Sequence, residues 1–279
     1  MKIREVLTAL EQFAPLPLQE DYDNAGLQVG LTETEVSGAL LCLDVTEAIV
    51  AEAVRKGCNL IVSHHPLIFH KLRRLTDEDY VQRTVREAIR HDVAIVSMHT
   101  NMDAAQGGVN FKIAQKLGLQ HLRFLGKQQQ VKVASIQSDK SSEAACEEIV
   151  HGGEGVIGQL SQACAADDFV LQLRQSFGVE CVQCNQLLRR PICRVAVCGG
   201  AGSFLLSDAI AAGADAFVTG EMSYHEYFGH EQEIQICVLG HYQSEQYTIE
   251  LFHEVIESRC PGVRCELTDI NTNPIIYLS

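Results

Sequence analysis

The chain has 279 residues, of which 46% are hydrophobic, and this is enough to bury a sizeable core in one large domain or two ordinary ones. Charged residues make up 21% of the chain and are spread along it, so the composition argues against global disorder. The formal net charge of −14 argues against a nucleic-acid-binding groove, although a bound metal ion would still allow one small anionic ligand.

The 11 cysteines and the apolar runs bear on where the protein resides. Cys42, Cys198 and Cys237 lie inside apolar runs, as small buried side chains do. Residues 1–13 carry charges within a helical apolar period, so they do not read as a signal peptide, and no apolar stretch of about 18 residues predicts a membrane span. We therefore expect a cytoplasmic protein with free thiols. For the lone CxxC pair, Cys181 and Cys184, packing is the default and a structural zinc the alternative.

Apolar periodicity predicts an α/β fold, in which apolar strands alternate with helices and form mostly parallel sheets. The first elements in chain order are a helix at 2–13, loop and turn at 15–38, strands at 38–45, 59–65 and 93–100, and helices at 46–57, 77–92 and 108–117. A middle segment follows, with a strand at 131–137 and helices at 141–152 and 167–178. The last elements are strands at 193–200, 214–221, 234–241 and 263–267 and helices at 203–213 and 243–258. Thr46 and Ser203 are candidate N-caps of their helices.

The two ends of the chain look like a diverged repeat, because the same spacings recur in them. Intervals of 13 and 7 residues separate Asp44, Gly57 and His64, and likewise Gly200, Gly213 and Gly220. The alternative is that any two βαβ units share such lengths. We predict two βαβ-type halves, the first at 1–126 and the second at 127–279, which divides into an α+β segment at 127–190 and an α/β repeat at 191–279.

The carboxyl ends of the predicted strands carry residues with metal-binding chemistry, and ligands of open parallel sheets bind at such ends. Four strand ends are relevant: those at 64–65, 99 and 241 carry histidine, and the one at 221 carries an acid. The candidate residues are, in chain order, His64, His65, His99, Asp103, Glu221, His241 and Glu245.

Each motif alone has an ordinary structural alternative. His64 and His65 would face opposite ways on a strand, one in the core and one at the surface, unless Pro66 turns the chain there. His241 and Glu245 share one helix face at i and i+4, which suits metal ligation but also an exposed hydrogen-bonded pair.

Asp103 has an alternative as well, since it could cap a helix or stabilise a turn. Taken together, three histidines and two carboxylates are too many for one ordinary zinc site and suit two divalent ions that share a bridging carboxylate. We therefore predict a centre of two divalent metal ions per subunit, of which Zn, Fe, Mn, Co and Ni all suit mixed ligation. The predicted ligands are His64, His65, Asp103, His241 and Glu245.

Two further features are less specific. The glycine-rich turn at 199–203 could cradle a phosphate at a helix N-terminus, but it lacks the full G-x-G-x-x-G pattern, so a tight turn is the preferred interpretation. His225 and Glu226 either line the pocket or are solvated surface residues.

At these residues the sequence resembles the Nif-three-like proteins, also described as dinuclear-metal hexameric proteins and as GTP cyclohydrolase 1 type 2 homologues. The matching segments are DNAGLQVG at 23–30, SHHP at 63–66, HTNMD at 99–103, GGVN at 107–110, GGAGS at 199–203, ADAFVTGE at 214–221 and GHY at 240–242 through Glu245. Gln243 and Ser244 depart from the family pattern, which often has a small residue and Thr there.

The resemblance implies that the two βαβ-type halves are interlocked and that the subunits form a ring-shaped homohexamer. It also implies the same five metal ligands, with Glu245 bridging the two ions. His99 and His225 would lie near the metals as supporting or proton-transfer groups. The family name further implies a nucleotide substrate, with ring opening of GTP and release of formate to give dihydroneopterin triphosphate. The alternatives are a hydrolase of another substrate, such as a phosphoester or cyclic amide, and a non-catalytic metal-binding scaffold.

Overall fold

The central strands at both ends of the chain are short, apolar and buried along their length, which is typical of parallel strands covered on both faces. The computed structural model describes residues 1–135 and 146–278. The chain forms two units, the first comprising Met1–Met102, Val131–Val150 and Thr248–Ser279, and the second Asp103–Gln130 and His151–Tyr247. The predicted halves are continuous stretches and do not follow this interleaving, because apolar periodicity does not reveal which sheet a terminal strand joins.

The first unit is built on a five-stranded sheet. Its strands are β1 (Gly26–Val29), β2 (Ala39–Cys42), β3 (Leu60–Ser63), β4 (Ala94–Ser97) and β11 (Cys265–Leu267). They lie in the order β1-β4-β3-β2-β11, and all neighbours are parallel except β1, which is antiparallel to β4. Cys42 pairs with Ser63, and Ser63 with Ser97, so β2, β3 and β4 end level at one edge of the sheet.

The helices of the first unit are α1 (Ile3–Phe13), α2 (Glu47–Arg55), α3 (Tyr80–Arg90) and α9 (Thr248–Arg259). Thr46 caps α2 as predicted, since its hydroxyl accepts a hydrogen bond from the Ile49 amide. The apolar faces of α2 and α3 pack with β2, β3 and β4 in one core. The short helix α4 (Thr100–Ala104) follows β4.

The second unit contains most of a six-stranded sheet, whose first two strands also include residues 131–135 and 146–150 of the first unit. Its strands are β5 (Gln120–Ser135), β6 (Cys146–Cys164), β7 (Gln183–Cys184), β8 (Ile192–Cys198), β9 (Ala216–Thr219) and β10 (Gln235–Val238), and its helices are α5 (Val109–Lys116), α6 (Ala166–Phe177), α7 (Leu206–Ala211) and α8 (His241–Glu245). The strand order is β5-β6-β8-β9-β10-β7. β8, β9 and β10 are parallel, and β6 and β7 flank them as antiparallel neighbours. Thr219 pairs with both Cys198 and Val238, so the parallel strands again end level.

The two sheets share a four-stranded motif. The order β1-β4-β3-β2 in the first unit matches β7-β10-β9-β8 in the second, and in each the antiparallel edge strand precedes three parallel strands in sequence. A short helix follows the last parallel strand in both, namely α4 after β4 and α8 after β10. The repeated spacings in the sequence therefore coincide with a repeated topology.

The middle segment and the loop near the N-terminus differ from their predicted secondary structure. The helix predicted at 141–152 is wrong over its described part, because β6 begins at Cys146; residues 141–145 lie outside the described residues, as do the last two residues of the strand predicted at 131–137. The Ala- and Glu-rich composition favours a helix locally, but pairing of β6 with β5 and β8 outweighs that preference. The loop predicted at 15–38 contains β1.

Two helix predictions near the C-terminus need correction. The single helix predicted at 243–258 is two helices, α8 and α9, with a break at 246–247. Ser203 does not cap α7, because it lies in a 3₁₀ turn, Gly202–Leu205, that precedes this helix.

The described residues support two expectations based on composition. Within 1–135 and 146–278, no helix is both long and apolar enough to cross a bilayer. Apart from Cys146, whose side chain lies outside the described part, the cysteines in these ranges carry free thiols, and Cys42, Cys198 and Cys237 are buried as predicted.

Candidate metal centre

Three histidines gather in the first unit, where β3 and β4 end. His64 and His65 directly follow Ser63, the last residue of β3, and His99 follows β4 after one intervening methionine. The ring centroids lie 4.9 Å apart for His64 and His65, 5.3 Å for His64 and His99, and 5.5 Å for His65 and His99. One nitrogen from each ring lies within 4.8 Å of the others, so the three side chains could hold a metal ion.

Hydrogen bonds to Nδ1 orient the two adjacent rings. The His64 Nδ1–H donates to the Met98 carbonyl oxygen at 2.9 Å, because a carbonyl can only accept. His65 Nδ1 lies 2.7 Å from Asp44 Oδ1. With Nδ1 engaged in this way, Nε2 is the nitrogen that each ring would present to a metal ion.

Asp44 is itself held in place behind His65. Its second carboxylate oxygen accepts a hydrogen bond from the Thr272 hydroxyl at 2.7 Å. Burial raises the pKa of Asp44, but the hydrogen bonds from His65 and Thr272 and the nearby imidazole charges outweigh this effect and lower the pKa overall. The carboxylate therefore remains ionised at neutral pH and stabilises a proton on His65 Nδ1.

Asp23 orients the His99 ring as Asp44 orients His65. Its Oδ1 lies 2.8 Å from His99 Nδ1, and its Oδ2 accepts hydrogen bonds from the amide and hydroxyl of Thr100. Burial raises the pKa of Asp23, but the hydrogen bonds from His99 and Thr100 and the His99 charge outweigh it and lower the pKa to about 2. Asp23 thus fixes the ring and the tautomer of His99.

In the second unit, His241 and Glu245 form the first turn of α8. Gly240, at φ 101°, leads from β10 into the helix with a backbone conformation that favours glycine. His241 Nδ1 lies 2.8 Å from Glu221 Oε1, and His241 Nε2 lies 3.2 Å from Glu245 Oε2. Glu245 is only 4% exposed, which contradicts the alternative of an exposed surface pair.

Asp103 is the third predicted ligand in the second unit. A carboxylate oxygen of Asp103 lies within 4.8 Å of one of Glu245. Two such charges repel by about 3 kcal/mol or more at an effective dielectric constant of about 20, unless a proton or a cation lies between them. Burial raises the pKa of the adjacent Cys198 thiol, and the charges of Asp103 and Glu245 raise it further. The two carboxylates therefore give this part of the second unit a negative electrostatic potential.

Asn110 anchors the backbone around this carboxylate pair. Its amide group donates to the Asp103 carbonyl oxygen at 3.3 Å and to the Glu154 carbonyl oxygen at 3.1 Å, and its Oδ1 accepts from the Gly199 amide at 2.9 Å. Asn110 is buried, so these bonds are not exchanged with solvent.

The glycine-rich turn at 199–203 is a tight turn that packs against α8. The Gly200 amide donates to Ser244 Oγ at 3.0 Å, and Gly200 adopts φ 55°. A side chain on Gly200 would overlap Glu245 Oε1 and lie 3.3 Å from His241 Nε2. The turn therefore shapes the space around the glutamate, which supports the tight-turn interpretation over a phosphate cradle.

The chemistry of these residues fits a divalent cation. The first unit supplies imidazoles with fixed tautomers, and the second supplies a histidine beside a carboxylate pair whose repulsion a cation would relieve. The predicted ligands thus fall in two groups, His64 and His65 in the first unit and Asp103, His241 and Glu245 in the second.

His225 lies in a different environment from the predicted metal ligands. It lies on the 3₁₀ turn Tyr224–Tyr227, is exposed, and contacts the rings of Tyr224 and Phe228. Among the described residues, no cluster of potential metal ligands includes it. The Glu226 carboxylate accepts a hydrogen bond from the Ser223 amide and stabilises this turn.

Sequence reasoning missed Asp44 and Asp23 as carboxylates that orient histidines, and it named Glu221 as a strand-end acid without pairing it with His241. Asp44 follows β2 within two residues, just as Glu221 follows β9, so the rule about strand ends could have identified it as well. Asp23 lies 76 residues before His99 in a loop, and no local pattern predicts that pairing.

Relatives of known sequence match most of the chain. A model of the Duf34/NIF3 (NGG1p interacting factor 3) family matches residues 1–274. A Clostridium perfringens protein named GTP cyclohydrolase 1 type 2 homolog is 30% identical over 260 residues, covering 93% of this chain and 92% of its own length. A protein of the same name from Lactococcus lactis is 30% identical over 281 residues, covering 98% of both chains.

Solved structures also show similarity over the whole chain. Staphylococcus aureus protein SA1388 superposes with a TM-score of 0.85 at 27% identity, covering 100% of this chain and 99% of that one. A Bacillus cereus protein related to NIF3 superposes with a TM-score of 0.83 at 23% identity and the same coverage, which shows the shared fold. The family match over residues 1–274, together with these relatives, establishes that the chain belongs to the Duf34/NIF3 family.

Proposed function

We propose that the chain binds a pair of divalent metal ions and is a metal-dependent hydrolase. The ligands would be His64, His65, Asp103, His241 and Glu245, with Glu245 as the bridge. The observation that carries the proposal is the buried Glu245 carboxylate, which lies within 4.8 Å of Asp103 and 3.2 Å from His241 Nε2 in an electronegative setting. Family membership supports the assembly of both ligand groups around one metal pair.

The substrate we propose is GTP. The supporting observation is that relatives at 30% identity carry the name GTP cyclohydrolase 1 type 2 homolog. The reaction would open the imidazole ring of the base, release formate and give dihydroneopterin triphosphate. Bound divalent ions would supply Lewis acidity and a more acidic water molecule.

The residues of the chain itself have separable roles in this proposal. Asp44 and Glu221 would hold His65 and His241 with Nε2 toward the metals. Asp23, whose pKa of about 2 keeps it ionised at neutral pH, would stabilise a proton on His99 and let this ring pass protons to and from the substrate. Glu245 would be held by the turn at Gly200.

The first test is metal content and turnover of the full chain. Purified protein is analysed by inductively coupled plasma mass spectrometry, then incubated with GTP while formate and pterin fluorescence are followed. We expect two divalent ions per subunit and a signal that the double variant H241A/E245A loses along with the metal.

A matched control is available on α9. His253 and Glu257 form another i,i+4 pair, with 3.7 Å between Nδ1 and Oε2; His253 is half-buried and Glu257 is exposed. The double variant H253A/E257A should retain metal and turnover. Equal metal content in both double variants would contradict the proposed ligands, and a silent GTP assay with turnover of phosphoesters would assign another substrate. Metal binding without turnover of any substrate tested would leave a metal-binding scaffold.

The family resemblance also leads us to propose a homohexamer. Size-exclusion chromatography with light scattering would give six times the subunit mass of 30.7 kDa, and any smaller assembly at working concentration would contradict it.

A further inference from the structure

A cavity of about 690 Å³ lies in the first unit between the SHHP turn and the start of α3. This volume is within the range of about 300–1,000 Å³ that is common for small-molecule sites. Its lining begins at Pro66, directly after His65, and extends to Gln82 in the first turn of α3. The cavity therefore starts next to the histidine cluster in sequence and continues along the loop at 66–79.

The loop concentrates positive charge in an acidic protein. Lys71, Arg73 and Arg74 all line the cavity and are exposed, while the chain as a whole carries a net charge of −14. Within the part of the chain that the structure describes, none of these three side chains forms an ion pair with a carboxylate. Three exposed cations without carboxylate partners repel one another, and an anion would relieve this repulsion.

Two acids also line the cavity, but one of them is engaged. The Asp79 carboxylate accepts hydrogen bonds from the Gln82 amide at 2.8 Å and from Gln82 Nε2 at 2.7 Å, and so caps α3. Glu78 is exposed to solvent. The cations thus outnumber the acids in the cavity lining, which favours an anionic ligand of several charges over a neutral one.

An aromatic group lies between the cations and the histidines. The exposed Phe69 ring lines the cavity and lies 6.2 Å from the His99 ring, 5.1 Å from the His70 ring and 6.3 Å from the Tyr22 ring, measured between centroids. An exposed aromatic face of this kind can stack a planar heterocycle, as aromatic side chains do with nucleobases. The order along the loop is therefore histidines, aromatic ring, cations.

We propose that this cavity binds the triphosphate of a nucleoside triphosphate, with Lys71, Arg73 and Arg74 contacting phosphate oxygens and Phe69 stacking on the base. This inference rests on the proposed function, because the base must then lie toward His64, His65 and His99. It adds a recognition site for the phosphates, which explains how an acidic protein selects a nucleotide of high negative charge.

The test measures direct binding to the metal-loaded full chain by isothermal titration calorimetry, with GTP, guanosine and inorganic tripolyphosphate as ligands. The triple variant K71A/R73A/R74A is compared with R55A/R86A/R90A, a control that removes three cations from α2 and α3 outside the cavity lining. Both variants lower the net charge equally. We expect the dissociation constant for GTP to rise by about 10- to 100-fold in the first variant only.

The other ligands separate the two ends of the site. Tripolyphosphate should compete with GTP on the wild type, guanosine should bind the wild type and both triple variants equally, and Phe69→Ala should weaken guanosine and GTP but not tripolyphosphate. The inference is overturned if the wild type does not bind GTP, if both triple variants bind GTP as the wild type does, or if guanosine also loses affinity in K71A/R73A/R74A.

Formate release, measured on the same samples, distinguishes this inference from the proposed function. GTP binding that depends on the three cations but yields no formate would sustain the phosphate site and contradict the cyclohydrolase reaction. Formate release by K71A/R73A/R74A at an unchanged KM for GTP would sustain the reaction and overturn the phosphate site.

Discussion

Replacement of Gly200 by alanine should disable the metal centre through a single methyl group. The added Cβ would overlap Glu245 Oε1 and would also lie 3.2 Å from the carboxylate carbon. Glu245 cannot move away easily, because it is 4% exposed and lies between the Gly199 and Gly200 backbone and the half-buried Asp103 carboxylate. The carboxylate must therefore rotate away from His241.

The size of the effect can be worked out in two parts. An alanine at φ 55° carries a conformational cost of roughly 1–2 kcal/mol, which lowers the free energy of unfolding without any metal. Loss of a supporting contact at a metal site typically lowers affinity by about 10- to 100-fold, and displacement of a ligand itself should reach the upper end of that range. We thus expect a loss of about 100-fold in metal affinity, or about 3 kcal/mol.

Gly178 provides the matched control. It adopts φ 62° at the end of α6, and a Cβ there would meet nothing within 4 Å. Gly178→Ala therefore carries the conformational cost alone and should retain full metal affinity. Urea denaturation of the metal-free proteins gives the first quantity, and calorimetric titration with Zn²⁺ or Mn²⁺ gives the second. Wild-type affinity in Gly200→Ala would refute the role assigned to this turn.

Three further predictions concern stability. Asp23→Asn should lower the free energy of unfolding by about 2 kcal/mol at pH 7, because a depressed folded-state pKa stabilises the protein above the unfolded value of 3.8 and this contribution fades as pH falls toward about 2; urea titrations should show the difference roughly halved at pH 3, and a pH-independent difference would refute it. Chelation with EDTA should lower Tm and reloading should restore it, since saturation at 100 times Kd stabilises by about 2.7 kcal/mol, whereas an unchanged Tm would contradict a resident metal. Phe217→Ala should cost about 3–5 kcal/mol in urea denaturation because Phe217 is fully buried, and the exposed Phe204→Ala should cost little; similar losses in both would contradict this core assignment.

The candidate ligands were predictable because parallel strands impose a common edge. Ser63 and Ser97 pair in register, so any residue that follows β3 or β4 must lie near the same sheet edge. The apolar runs that form these strands are evident in the sequence, and the histidines that follow them need no long-range information. The same logic identifies His241 after β10.

The orienting carboxylate Asp23, the placement of the C-terminal elements and the strand β6 depended on contacts that sequence periodicity does not encode. The Asp23–His99 pair joins residues 76 positions apart, and the membership of α9 and β11 in the first unit joins the two ends of the chain. The strand β6 begins in a stretch whose Ala and Glu residues favour a helix, and only its sheet neighbours decide otherwise. The net charge of −14 did not indicate the cations Lys71, Arg73 and Arg74 either, because a sum over the whole chain carries no information about where charges lie.

The common topology of the two sheets allows the two copies of the motif to differ in the donors that they carry. At matching positions beyond the second parallel strand, one copy has His64 and His65 where the other has Gly220 and Glu221. Each copy carries a carboxylate on its short helix, Asp103 on α4 and Glu245 on α8, but only the first copy places two histidines beyond its second parallel strand. Because these donors follow the strands and are not part of them, mutations that alter metal preference can accumulate in either copy without rebuilding its sheet.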